Sequence, residues 1–256
     1  EPHIAGTRIT RVRIRNRRLR GPVSKSVDQN LVGLTVDSVT RRAKYLLINT
    51  EKGAAILHLG MSGSVFIVDR DTPAGIHDHV DIDFDSGKTV RFRDPRRFGS
   101  LHWSKKQLEH KLLKSLGPEP LGDEFDGDYL WARSRGRRVS IKQFIMNAAV
   151  VVGVGNIYAS ESLFKAGINP KRKAGSVSLA RLEKLVGAIK LTLRESIEQG
   201  CTTLKDFTSE DGQPGYFAQK LLVYGKAGED CSVCGKPIKQ ITQQARSTFY
   251  CTKCQR

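Results

Sequence analysis

The feature that most limits how this chain can fold is a pair of cysteine couples near its C-terminus. They are Cys231-Ser-Val-Cys234 and Cys251-Thr-Lys-Cys254, with 16 residues between them. Each couple can wrap one edge of a metal ion, and four thiolates complete a tetrahedral Zn2+ site with no open coordination position. Such a site is structural, because nothing is left to bind or activate a substrate. Gly235, directly after the first couple, permits the tight turn that a metal knuckle needs. Two disulfides or an iron–sulfur cluster are the competing readings; the hairpin-like segment between the couples fits a zinc finger better. Cysteines used this way suit a reducing compartment. Cys201, the fifth cysteine, stands outside the pattern, and its expected role is a buried small thiol.

The rest of the chain must be matched to a polyanion. Forty-three Lys and Arg face 26 Asp and Glu, a formal charge of +17 over 256 residues. Each cation docked on a phosphate releases condensed counterions, so this excess points to nucleic acid, with an acidic membrane surface or a soluble ribosome-associated factor as the alternatives. No run of about 18 apolar residues is present, which excludes a helical membrane span. The opening Glu1-Pro2-His3 shows no basic stretch leading into an apolar run. It also lacks Met, so it is expected to lie inside the natural chain.

Residues 1–117 read as β. Thr7 to Ile14 alternates polar and apolar residues, and Lys44 to Ile48, Ala55 to Leu59, Val65 to Val68, Val80 to Phe84 and Thr89 to Phe92 follow at short intervals. Turn-like Glu51-Lys52-Gly53, Ser62-Gly63 and Asp85-Ser86-Gly87 separate them. Leu116-Gly117-Pro118-Glu119-Pro120 then marks a linker. Beyond it the period becomes helical. Helices are expected over Ser140 to Ala149, over Asn156 to Ala166 with Asn156 as N-cap and Gly167 just past the end, and from Ser178 to Gly200. The last helix buries Leu179, Leu182, Leu185, Val186, Ile189, Leu193 and Ile197 on one face. The expected fold is α+β in three domains: a β-sandwich (1–117), a helical domain (118–215) and a zinc finger (216–256).

Several clusters could meet a nucleic acid. Asp94-Pro95-Arg96-Arg97-Phe98-Gly99 puts two guanidiniums beside an aromatic ring in a turn, either a wedge that holds an unstacked base step open or an ordinary surface turn. Met61 could supply a second wedge or fill core. Arg133, Arg135, Arg137 and Arg138 form a cationic run suited to phosphates or to solvent. Gly153-Val154-Gly155-Asn156 opens a helix whose N-terminus could hold a phosphate, without the spacing of a nucleotide P-loop. Arg246 sits near the tip of the hairpin between the cysteine couples and could fork onto phosphate oxygens. Lys44, entering an apolar strand beside Arg41 and Arg42, is either a proton-transfer or Schiff-base lysine or a snorkelling strand end.

Taken together, Arg41-Arg-Ala-Lys-Tyr-Leu-Leu, His58-Leu-Gly-Met-Ser-Gly, His77-Asp-His, Asp94-Pro-Arg-Arg-Phe-Gly, Leu116-Gly-Pro-Glu-Pro-Leu, Val152-Gly-Val-Gly-Asn-Ile-Tyr-Ala-Ser-Glu and the four-cysteine finger resemble the bacterial formamidopyrimidine-DNA glycosylases over practically the whole length. The resemblance implies a β-sandwich, a helix–two-turns–helix domain and a zinc finger, with DNA in the cleft between. It implies excision of oxidised purines, 8-oxoguanine and formamidopyrimidines, then strand cleavage at the abasic site by β,δ-elimination. One structural Zn2+ is the implied cofactor, and double-stranded DNA with oxidised bases or abasic sites the partner. A cytoplasmic, nucleoid-associated monomer of a bacterium is the implied setting.

The same resemblance gives Lys44 a part in β-elimination and lesion recognition, and Arg246 a part in δ-elimination and phosphate contact. It places His77, Arg96, Arg137 and Asn156 on DNA-binding positions, with Arg138 as a substitute for Arg137. Met61, Arg96 and Phe98 fill the gap left by the extruded base, and Ser209 to Tyr216 matches a loop that closes over that base. The family's nucleophile, an N-terminal proline with an adjacent Glu on a short helix, is not found at Glu1-Pro2. That segment looks like the stretch just after the helix, and the nitrogen of Pro2 is an amide. The expectation is that these residues belong to a longer, intact enzyme. A shortened lesion-DNA-binding protein without catalysis and an endonuclease VIII-type pyrimidine glycosylase are the alternatives.

Overall fold

A computed structural model describes residues 2–199 and 221–256. The chain forms two compact units, Glu1–Lys114 and Ser115–Arg256.

The first unit is built from two four-stranded antiparallel sheets. One has the order β1 (Ile9–Ile14), β6 (Asp78–Phe84), β7 (Lys88–Arg93), β5 (Ser64–Asp69); the other has β2 (Ser38–Arg42), β3 (Tyr45–Thr50), β4 (Gly53–His58), β8 (Ser100–Ser104). Inward residues of both sheets share one core, with Ile9, Val80, Ile82, Phe84, Val90 and Phe92 from the first meeting Ile48, Ala55, Leu57 and Leu101 from the second. Alternation is what makes this possible, since every second side chain of a strand faces the opposing sheet. A short helix, α1 (Ser26–Leu31), adds Val27 and Leu31 to that core.

The outer face of β6 departs from the simple pattern. All seven of its residues are buried, although Asp81 and Asp83 should face water in a half-buried strand, and Asp78 lies before a register shift. Arginines make the burial tolerable. Arg91, with its side chain 3% exposed, sets Nε and Nη2 on the two Asp81 oxygens at 2.9 and 3.0 Å. Arg15 reaches Asp81 at 2.6 Å, Arg13 reaches Asp83 at 2.8 Å and Arg93 reaches Asp78 at 2.7 Å. Arg91 also donates to the carbonyls of Pro73 and Thr72 at 2.9 and 2.8 Å, which ties down the segment leading into His77.

The second unit carries α2 (Gly127–Ser134), α3 (Ile141–Ile145), α4 (Asn156–Lys165), α5 (Leu179–Glu198) and a hairpin of β9 (Lys239–Gln243) and β10 (Arg246–Tyr250). Its helical core gathers Phe125, Leu130, Ile141, Ile145, Leu163, Leu182, Leu185 and Ile189. A second, smaller core joins Phe164 of α4 to Val223, Ile238, Phe249 and the finger cysteines.

Several local expectations need correction. Lys44 lies in the two-residue turn between the paired Arg42 and Tyr45, outside the strand. The helix expected over Ser140 to Ala149 stops at Ile145, because Asn147 turns its side chain onto the Ala149 N–H and the next residues enter a turn. Gly155, not Asn156, is the N-cap of α4. Ile197 of α5 is 66% exposed, so the apolar stripe ends a turn earlier than its sequence indicates. Strands β2 and β8 and helices α1 and α2 were not anticipated. The end of the last helix at Gly200, Cys201, the segment Ser209 to Tyr216 and the boundary expected at 215/216 lie outside the described residues.

Candidate metal centre and nucleic-acid interface

The four cysteines converge as their spacing demands. Their sulfurs all lie within 4.8 Å of one another, with 3.8 Å between Cys231 and Cys254 and 3.5 Å between Cys234 and Cys251. Thiolates about 2.3 Å from a tetrahedral zinc stand roughly 3.8 Å apart, whereas a disulfide would bring two of them to about 2.05 Å. The sulfurs are unbonded to one another, so the disulfide reading falls and the site fits one structural Zn2+. Local geometry builds each half. The Gly235 N–H donates to the Cys231 carbonyl at 2.8 Å, and Gly235 itself has φ +70°, a conformation that a Cβ would strain. At the second couple, Gln255 accepts from the Cys251 N–H and donates to the Ile168 carbonyl, both at 2.9 Å, which fastens the finger to the helices.

Arg246 begins β10 immediately after a two-residue turn in which Gln244 and Ala245 have φ of +48° and +56°. Twin positive φ values are the geometry of a type I′ hairpin turn, which normally takes Asn-Gly. The residue that follows, Ser247, is gripped from behind. Its carbonyl accepts from Lys142 Nζ at 2.9 Å and from Asn156 Nδ2 at 3.0 Å, and Lys142 also donates to Thr248 Oγ1 at 2.8 Å. Asn156 is thus turned toward the finger instead of capping its own helix.

Arg246, Lys142, Arg133, Arg137, Asn147 and Gln243 line one cavity of about 520 Å3. Of the cationic run, Arg137 faces this cavity, and Arg138 is not among its lining residues. Arg135 serves the fold: it donates to the Trp131 and Val177 carbonyls at 3.2 and 2.8 Å and stacks 4.9 Å from the Trp131 ring.

Lys142 escaped the sequence reading, since one lysine in a short helix carries no signal by itself. Burial, and then the charge of Arg246, lower its pKa to about 8. An unfolded lysine titrates near ~10.4. Between those values the folded chain has lost a proton that the unfolded chain keeps, so raising the pH favours folding there; below about 8 the effect is absent. The urea midpoint of the wild type relative to Lys142→Met is therefore expected to rise from pH 7 to pH 10. An unchanged difference would show that Lys142 is not desolvated. Glu161 was missed for a similar reason. Its buried carboxylate on α4 accepts the N–H groups of Leu222, Val223 and Tyr224 at 2.8, 2.9 and 2.8 Å, holding the strand of chain that enters the finger.

In the first unit, the β4–β5 turn and the β7–β8 connection lie side by side. Met61 is 55% exposed at the head of one. In the other, the exposed Arg96 lies over the half-buried Phe98 ring at 5.0 Å, and Arg20 lies over the same ring at 5.6 Å. Arg20 was not foreseen; its backbone N–H also donates to the Arg97 carbonyl at 2.7 Å. His77 is exposed just before β6, and its carbonyl accepts the Asp94 N–H at 3.0 Å. Lys44 is exposed after Ala43, whose φ is +55°. Beside it, burial and then the charge of Lys44 lower the pKa of His58, whose Nδ1 accepts the Gly60 N–H at 3.0 Å. Met61, Arg96, Phe98 and His77 thus occupy neighbouring, hydrogen-bonded segments.

Three family models match the chain in succession: the formamidopyrimidine-DNA glycosylase N-terminal domain over residues 1–101, the formamidopyrimidine-DNA glycosylase H2TH domain over 116–208, and a zinc finger found in FPG and IleRS over 228–256. The formamidopyrimidine-DNA glycosylase of Stutzerimonas stutzeri is 55% identical over 256 residues, covering 100% of this chain and 95% of that protein. That of Idiomarina loihiensis is 56% identical, covering 100% and 94%. Among solved structures, a Lactococcus lactis FPG mutant in complex with DNA containing Fapy-dG is similar, with a TM-score of 0.89 at 29% identity and coverage of 100% and 94%. The Lactococcus lactis enzyme bound non-covalently to DNA containing an AP site has a TM-score of 0.88 at 28% identity, with the same coverage.

Proposed function

The chain belongs to the formamidopyrimidine-DNA glycosylase family, and from that premise we propose how its residues divide the work of a base-excision-repair DNA glycosylase and AP lyase. The substrate is double-stranded DNA with oxidised purines or abasic sites. Three modules act on it, 1–117, 118–215 and 216–256, in a monomer of the bacterial cytoplasm working at the nucleoid. Met61, Arg96 and Phe98 fill the space of the extruded nucleotide, since exposed apolar and cationic groups on short loops suit an unstacked step. His77, Arg137 and Asn156 dock the backbone. The observation that carries this reading is the clamp on Ser247: Lys142 and Asn156 fix the hairpin so that Arg246 faces a cavity already lined by Arg137 and Arg133. A fixed guanidinium in that setting suits a phosphate oxygen.

Chemically, the resemblance assigns the attack to the amine of an N-terminal proline. That amine bonds to the sugar C1′ as the glycosidic bond breaks with its electron pair leaving on the base, which takes up the amine's proton; the C1′–O4′ bond then opens, O4′ takes up a proton, and a cationic imine (an iminium) remains. The imine acidifies the neighbouring C–H, and loss of that proton expels the 3′ phosphate; a second elimination expels the 5′ phosphate. Lys44 serves the first elimination and Arg246 the second. Zinc holds the finger in shape and takes no step. Full-length protein incubated with an 8-oxoguanine duplex and borohydride is expected to yield a covalent protein–DNA adduct. Arg246→Ala is expected to keep the adduct but lose the second elimination on the order of tenfold or more. Tight, salt-sensitive binding of lesion DNA with no adduct under any condition would reduce the protein to a binding module.

A further inference from the structure

Asp94 is buried to 0% exposure on the connection between β7 and β8, and all four of its polar groups are engaged. Its N–H donates to the His77 carbonyl at 3.0 Å. Its carbonyl accepts from the Arg97 N–H at 3.1 Å and pairs with His79 Nε2 at 2.8 Å. One carboxylate oxygen accepts the Gly99 N–H at 2.7 Å, which closes the Asp94–Gly99 loop on itself. The other accepts the Ser62 hydroxyl at 2.9 Å, and Ser62 Oγ in turn accepts the Arg96 N–H at 3.2 Å. The carboxylate and this hydroxyl form a bridge between two loops more than thirty residues apart in sequence.

That bridge has something to hold. Arg97 has φ +56°, so the loop carrying Arg96 and Phe98 sits in a conformation that its own sequence does not favour. The two loops also touch backbone to backbone: a Cβ on Gly60 would fall 2.5 Å from the Phe98 carbonyl carbon, and one on Gly99 would fall 2.7 Å from the His58 oxygen. Met61 stands next to Ser62, and Arg96 and Phe98 stand on either side of Arg97.

We propose that Asp94, acting through Ser62, is a positioning residue that joins the Met61 turn and the Arg96–Phe98 loop into one rigid wedge and so sets how efficiently a damaged nucleotide is taken out of the duplex. The inference rests on the reading that Met61, Arg96 and Phe98 fill the vacated space. Neither Asp94 nor Ser62 touches the reacting atoms; they act by making the wedge enter the stack already in shape, since each group free to move before insertion must be ordered during it.

Ser62→Ala tests this with the smallest change, because it removes the bridging hydroxyl and leaves the Asp94–Gly99 bond intact. Asp94→Asn is the second variant, since one of its two former acceptor atoms becomes a donor. With full-length, zinc-loaded protein, Ser62→Ala is expected to slow single-turnover excision of 8-oxoguanine from a duplex on the order of tenfold, about the loss of one buried hydrogen bond. The fluorescence rise of a 2-aminopurine placed beside the lesion should slow equally. Incision of a preformed abasic duplex, which is cheaper to open, is expected to stay within about twofold of wild type; a general structural defect would lower both reactions alike. Normal excision by both variants while Met61→Ala and Phe98→Ala are slow would overturn the positioning role alone. Normal excision by all four variants would overturn the wedge reading beneath it.

Discussion

Replacing Cys251 by Ser is expected to abolish zinc binding and lower the affinity for lesion DNA by about a hundredfold or more. Four thiolates at tetrahedral spacing form a closed site, and zinc-finger peptides gain roughly 10–16 kcal/mol from such a metal. That exceeds what the small core of Val223, Ile238 and Phe249 can supply without it. The loss should be local. The helical core of Leu163, Leu182 and Ile189 shares no residue with the finger core, and α4 meets the finger through Phe164 and through the polar Asn156 and Glu161. Far-ultraviolet circular dichroism should therefore keep its helical signal while amide exchange in β9 and β10 becomes fast. With the hairpin loose, Ser247 no longer meets Lys142 and Asn156, and Arg246 loses its fixed direction. Metal analysis and fluorescence anisotropy on an abasic duplex measure the outcome. A zinc-free protein that bound and cut as well as wild type would remove the finger from the account.

Asp81→Ala is expected to cost the first unit about 3–5 kcal/mol, because it leaves Arg91 charged, buried and without its two-pronged partner. Domains are stable by only about 5–15 kcal/mol in all, so thermal unfolding should shift by many degrees. Arg91→Met added to it is expected to restore part of the loss, since an apolar pair of similar size has no unmatched charge. The same network sets a pH limit. Burial alone would raise the Asp81 pKa, but the hydrogen bonds and charges of Arg91 and Arg15 outweigh it and hold the carboxyl below its ordinary value. Burial is likewise outweighed at Asp78, by the hydrogen bond from Arg93 and its neighbours. A carboxylate with a depressed folded pKa contributes stability that is complete above the unfolded value, near ~3.9, and is lost as the pH falls through the folded one. The gap in stability between wild type and Asp81→Ala should thus be constant at neutral pH and close below about pH 4. A gap that persisted unchanged in strong acid would mean that ion pairing is not what holds β6.

These two cases mark what the sequence discloses. The zinc site was legible because the two cysteines of each knuckle lie three residues apart, and the elements most visible as patterns, such as α5 and the alternating strands, repeat a short period. Asp81 and Asp83 of β6 look solvent-facing by the same alternation, and only pairing with arginines of β7 and of the stretch from Arg13 to Arg15 reveals why they are buried. Lys142 and Ser247 are likewise 105 residues apart, Asp94 and Ser62 thirty-two, so neither link leaves a local trace. The six-residue α1 is too short to show a helical period. Lys44 was drawn into a strand because apolar Tyr45 to Ile48 dominates its surroundings, while the turn that carries it depends on a left-handed alanine.

Among the described residues, the non-glycine positions with left-handed backbone are Ala43, Arg97, Gln244 and Ala245. Ala43, Arg97 and Ala245 adjoin a candidate working side chain (Lys44, the pair Arg96 and Phe98, or Arg246), and Gln244 shares the turn that leads into Arg246. An L-residue held there costs roughly 1–2 kcal/mol. Heat-tolerant variants of this protein should accordingly arise by glycine at these four places, and the hardiest of them should be the slowest to mend DNA.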